Sequence, residues 1–157
     1  MTVYINPSPG VSGAQVTLTL ASVAVAGNLS VPSLQDITLN NSNDVFSWEQ
    51  LDAGSKKQIA TTATNSLSMN LVLDTETFFG NASATANSAS YLGVFGLSKN
   101  KTACTFSLYM GDDSTGTNTK TITGTAYVTG LAPTVSASSP VWVSPITLTV
   151  TGDYTVT

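Results

Sequence analysis

The sequence predicts a mainly β protein: an antiparallel sandwich or barrel with one short flanking helix, an extended N-terminal arm and a long loop. Three observations carry that expectation. Thr and Ser make up 45 of the 157 residues, and Thr suits pleated, half-buried positions. The last third holds three extended runs, Thr102–Met110, Thr119–Leu131 and Val143–Val156. Within them apolar and hydroxyl residues alternate: Ile122, Gly124, Ala126 and Val128 on one face, Thr121, Thr123, Thr125 and Tyr127 on the other. Period-two alternation gives a sheet with one oily and one hydroxylated face. A chain of this length holds one compact core, so residues 1–157 read as a single domain.

Residues 1–13 contain Pro7, Pro9, Gly10 and Gly13 and read as an extended arm; they lack the basic and long apolar segments of a secretory signal. Val16, Leu18 and Leu20 alternate with Thr17 and Thr19 as a first strand. Gly27-Asn28 marks a turn, and Leu29–Leu39 is a second extended segment interrupted by Pro32. Residues 40–57 open on Asn40-Asn41-Ser42-Asn43-Asp44 and read as a long loop. Phe46 and Trp48 stand inside it, either tucked beneath the loop or presented to a partner. Gln58–Ala63 and Ser66–Leu73 form a hairpin about Thr64-Asn65, or one long bent strand. Residues 82–98, with Ala82, Ala84, Ala86 and Ala89 followed by Tyr91, Leu92 and Phe95, are the helix candidate. A turn at Gly111–Gly116 and a Ser/Pro-rich connection, Leu131–Pro145, join the final strands.

Composition excludes several functions. With no His and one Cys, a Ser–His–Asp or Cys–His centre and a cysteine zinc site are out of reach. No Gly-rich loop leads into a phosphate-binding GK[ST] turn. Asp74 and Glu76, the pair closest to a glycosidase arrangement, read as a solvated strand end. Asp112-Asp113 lacks EF-hand spacing and reads as a polar turn. Cys104 shares a strand face with Phe106 and Leu108, which makes it a buried, inert thiol. On inventory alone an enzymatic reading is therefore weak, and no cofactor or metal site is expected. No stretch approaches the roughly 18 apolar residues of a membrane-crossing helix.

Charge is scarce. Charged residues are 9 % of the chain, against about a quarter in ordinary domains; hydrophobic residues are 41 % and the mean hydropathy is +0.18. Five Lys, no Arg and a net charge of −4 cannot grip a polyanion by replacing its counterions, although an acidic wall would let one slide past. So little charge gives copies little reason to stay apart, so much of the surface is expected to be covered by other subunits.

The run from Gly124 to Leu131 (GTAYVTGL), the Pro/Ser-rich connection and the strand Ile146–Gly152 (ITLTVTG) together resemble the C-terminal half of tailed-bacteriophage major tail tube proteins. The LVLDTETFFGN segment, Leu71–Asn81, followed by a short helix and Asn100-Lys101, is similar to the same family. The resemblance runs from Ser66 to Thr157. It implies a β-sandwich or barrel whose six copies form a ring, with rings stacked into a tube that conducts viral DNA as transient cargo. It also implies a place in the virion tail, assembly in the bacterial cytoplasm, and tape measure, distal tail and terminator proteins as partners. The arm residues Val3, Tyr4 and Ile5, with Phe46 and Trp48, are the candidate inter-subunit contacts. Thr121, Thr123 and Thr125 are the candidate lumen-facing residues. The competing expectation is an immunoglobulin-like virion decoration or adhesion domain, monomeric and indifferent to loss of residues 1–13.

Overall fold

The computed structural model describes residues 16–31, 34–51, 54–110 and 120–157. Candidate contacts Val3, Tyr4 and Ile5, the 1–13 arm and the Asp112-Asp113 turn lie outside these residues. The elements are β1 (Val16–Ser22), β2 (Asn28–Val31), β3 (Leu34–Trp48), β4 (Lys57–Val72), α1 (Thr75–Phe79), α2 (Ala89–Lys99), β5 (Cys104–Met110), β6 (Lys120–Leu131), β7 (Thr134–Ser136) and β8 (Ser139–Val156).

All strands belong to one antiparallel sheet with the path β2-β1-β5-β6-β8-β4-β3, and β7 pairs with the start of β8. Laid flat, six inter-strand spacings of about 4.8 Å would separate β2 from β3 by roughly 29 Å. Yet Val31 ends β2 and Leu34 begins β3, and three peptide links reach at most about 11 Å. The sheet therefore curls until its two edges approach, without closing into a hydrogen-bonded barrel.

The apolar alternation decides which way it curls. Leu18, Leu108 and Ile122 stand side by side across β1, β5 and β6; Leu67, Leu148 and Val128 do so across β4, β8 and β6. All six are buried in one continuous core. Gly124 lies opposite Phe106, and a Cβ there would sit 2.9 Å from the Phe106 ring. The glycine leaves the volume that this ring fills.

The helices cover one end of the core. Asp74 caps α1, its carboxylate accepting the N–H groups of Glu76 at 2.9 Å and Thr77 at 3.0 Å, which are donors the first turn cannot satisfy internally. Ser88 caps α2 by accepting the Tyr91 N–H at 3.2 Å. Within α2, Gly93 has φ 62° and breaks the helix into two short pieces. Gly80, at φ 91°, packs against that break: a Cβ on Gly93 would come within 2.4 Å of the Gly80 nitrogen. Phe78, Val94 and Leu97 reach the core from this pair.

Three expectations need correction. Residues 40–57 are not a long loop: β3 continues to Trp48 and β4 starts at Lys57, paired from Asn40↔Ser66 out to Trp48↔Lys57. Those strands bury neither face, so their sequence carries no apolar alternation to reveal them. The helix begins at Ala89 rather than residue 82, because Ser88 supplies the cap that the alanines before it lack. A second helix, α1, occupies what read as a strand end; Asp74 supplies its first-turn bonds. The alternatives about Thr64-Asn65 resolve to a single strand, Lys57–Val72.

Candidate assembly surfaces

The hydroxylated face is the side of the sheet turned away from the core. Thr121, Thr123 and Thr125 stand on it together, opposite Tyr109, Ser107 and Thr105 of β5. On the β8 side, Thr123 and Thr155 share a hydroxyl–hydroxyl bond of 2.8 Å, and Thr129 and Thr149 another of 2.8 Å. Bonded in pairs, these hydroxyls hold one another rather than reaching outward as a fixed ligand set. Asp153 lines the same open groove. Asp36 lies farther along, its carboxylate accepting the backbone N–H and side-chain amide of Asn70 at 3.0 and 2.8 Å. Register places no lysine on this face of the sheet body among the described residues.

The second surface is an arm, the distal part of the β3–β4 hairpin. From Lys57 to Thr64 every residue of β4 is exposed, over about 26 Å at the usual strand rise. Near the tip, Phe46 and Trp48 stack with ring centroids 6.0 Å apart, and they are 60 % and 37 % exposed. The rings are therefore exposed and not tucked under a loop. Ile59 and Lys57 stand directly opposite them. A Lys56–Glu49 ion pair at 3.5 Å closes the tip, worth little at such exposure. Sequence reasoning found the aromatic pair from its odd company in a polar stretch, and missed the strands that carry it.

A third surface was not foreseen. Phe79 and Phe95, with centroids 5.8 Å apart, flank the buried Phe78, and Tyr91 of α2 is exposed as well. Tyr91, Leu92 and Phe95 belong to the helix candidate of the sequence, but Gly93 breaks the helical period in their middle. The break turns Leu92 inward, half-buried, and leaves Tyr91 and Phe95 outside.

The sheet margins differ. The β2 margin is partly covered, for the Ser90 hydroxyl donates to the Asn28 carbonyl. Beyond Thr149, β8 is paired with β6 on one side, and no described strand pairs with it on the other.

The groups that invite an enzymatic reading are engaged elsewhere. Asp74 is the α1 cap; the Thr77 side chain beside it holds its carboxyl below the ordinary value against the opposing effect of burial, with further help from the backbone N–H groups of Thr77 and Glu76. Burial pushes the Cys104 thiol up to about 11, and its S–H meets the Ala126 carbonyl at 3.4 Å. Among the described residues no three His, Cys, Asp or Glu side chains gather as a metal site.

No family model matches the chain, and no curated protein matches it. Solved structures do. A chain in the tail of an empty gene transfer agent particle, refined helically with C6 symmetry, superposes with a TM-score of 0.66 at 10 % identity, covering 93 % of this chain and 98 % of that one. A chain of the SPP1 tail tube gives 0.63 at 10 % identity, covering 90 % and 76 %. A chain from the tube-terminating cap of the anti-feeding prophage gives 0.56 at 16 % identity, covering 100 % and 94 %. At such identities the likeness is one of backbone, and it spans at least 90 % of this chain in each case: the chain has the fold found in the tails and tubes of phage-like particles.

Proposed function

We propose that this protein is the structural subunit of a tail-type tube, six copies to a ring, with rings stacked around a lumen that conducts DNA. The observation that carries the proposal is the near-complete superposition on a chain of a C6-symmetric particle tail. Three features of the chain agree with it. An arm that adds no buried residue to the core of its own subunit calls for a neighbour. The open margin of β8 leaves strand edges that would otherwise invite uncontrolled pairing. The hydroxylated face carries two carboxylates and no lysine among the described residues of the sheet body, so DNA would meet a wet wall with nothing to anchor its phosphates.

In this reading Thr121, Thr123 and Thr125 line the lumen. Val3, Tyr4, Ile5, Phe46 and Trp48 contact neighbouring subunits, and the tube meets tape measure, distal tail and terminator proteins in the virion tail. Assembly takes place in the host cytoplasm, and the protein catalyses nothing.

The test is direct imaging of the purified protein by negative stain, with sizing. Six-fold rings and hollow tubes are expected. A monomer at every concentration would favour the decoration or adhesion domain instead. Placing Lys on the lumen face, as Thr123→Lys with Thr125→Lys, should leave tubes intact and impair genome delivery. Equal loss of both would assign the wrong face to the lumen.

A further inference from the structure

Among the described residues the protein carries two exposed clusters of paired aromatic rings, and one strand keeps them apart. The arm cluster, Phe46 and Trp48, sits beside the first residues of β4; the helix cluster, Phe79 and Phe95, follows its last. From Lys57 to Val72 β4 runs about 50 Å at the usual rise. Within one subunit the clusters do not meet, which is why Phe79 remains 51 % and Phe95 41 % exposed. Two copies displaced along the strand direction bring them together.

We propose that the arm tip of one copy docks on the α1–α2 aromatic face of the next, a head-to-tail contact that repeats from copy to copy. This rests on the tube reading and names the surface that receives the arm. The receiving face is built before its partner arrives. The Gly80–Gly93 approach admits no Cβ on either residue, and Phe78, wholly buried, stands edge-on to Phe79 at 4.9 Å. The exposed rings are thus held by rigid backbone rather than by flexible side chains, and preorganised aromatic clusters are the usual seat of interface hot spots.

Charge agrees. Lys57 stands opposite Trp48 in the arm, and no described carboxylate forms an ion pair with it. Glu76 lies one turn before Phe79 in α1, exposed, and no described lysine pairs with it. Seating the arm rings on Phe79 and Phe95 gives each of these charges a counter-charge across the joint. Because the two surfaces differ, the contact is heterologous and does not exhaust itself in a dimer.

Complementation tests it. A donor-deficient subunit, Phe46→Ala with Trp48→Ala, keeps its receiving face; a receiver-deficient subunit, Phe79→Ala with Phe95→Ala, keeps its arm. Each alone should raise the concentration needed for tube growth by at least about tenfold. Mixed in equal amounts they should yield two-layer particles that grow no further. As a second measurement, Lys57→Glu and Glu76→Lys should each slow growth, and together restore it. Wild-type growth by the receiver-deficient subunit, or a mixture that stays single-layered while each variant has the wild-type circular dichroism spectrum, would overturn the proposal. Failure of the wild-type protein itself to form rings would sink the tube reading, and this contact with it.

Discussion

One strand, β4, belongs to two different environments. From Asn65 to Leu71 its odd-numbered residues are buried, matched in register by Leu148 and Ile146 of β8. From Lys57 to Thr64 the same strand, with the same partner β3, buries nothing. The body has a third strand beside it and a core beneath; the arm has only a hairpin's own hydrogen bonds. A two-stranded ribbon is at best marginally stable in water. The body is self-sufficient and the arm depends on what covers it, so stability and assembly should respond to different residues.

The sharpest way to break this division is in the body. Phe106→Ala empties the space that Gly124 preserves, and should cost about 3–5 kcal/mol of subunit stability, read from the denaturant midpoint. A cost below about 1 kcal/mol would mean the curled sheet is not the seat of stability.

An intermediate effect is expected where the helices join the sheet. Asp74→Ala removes the α1 cap and should cost about 1 kcal/mol. The Asp74 carboxyl is held below its ordinary value in the folded protein, so its contribution is fully present above the unfolded-state value. It is lost as pH falls through the folded one. Stability compared between the wild type and Asp74→Ala should therefore converge on acidification below about pH 4. A gap that persists unchanged in acid would show that the carboxylate charge is not what the cap supplies.

The smallest effect on stability is expected in the arm. Trp48→Ala should leave the denaturation midpoint of the lone subunit within about 0.5 kcal/mol of the wild type, while shortening tubes and lowering their yield. A large loss of subunit stability would tie the arm to the body; unchanged tubes would remove Trp48 from the interface.

How far the sequence could be read differs between the same two regions. In the body, alternation of Ile122, Ala126 and Val128 with Thr121, Thr123 and Thr125 marks both faces of β6 in the sequence, because one face there is buried and the other is not. The arm gave no such signal: Asn40 to Asp44 are polar on both faces, which composition cannot tell from a loop. The helix was found but displaced, since alanine content marks propensity while Ser88 marks the start. Its exposed aromatic face escaped notice because a glycine at positive φ interrupts the period on which the reading relied.

By itself the sequence determined the class of fold, the two-faced character of β5, β6 and β8, the inertness of Cys104 and the want of cationic charge. These depend on residue type and on neighbours two or four positions away. Tertiary structure alone decided that the sheet curls until β2 and β3 adjoin, that Asn40–Trp48 and Lys57–Thr64 stand out as an arm, and that Phe79 and Phe95 face outward at the far end of β4 from Phe46 and Trp48. Each of these outcomes depends on contacts between distant segments and on backbone direction, and neither is written in the local alternation of side chains.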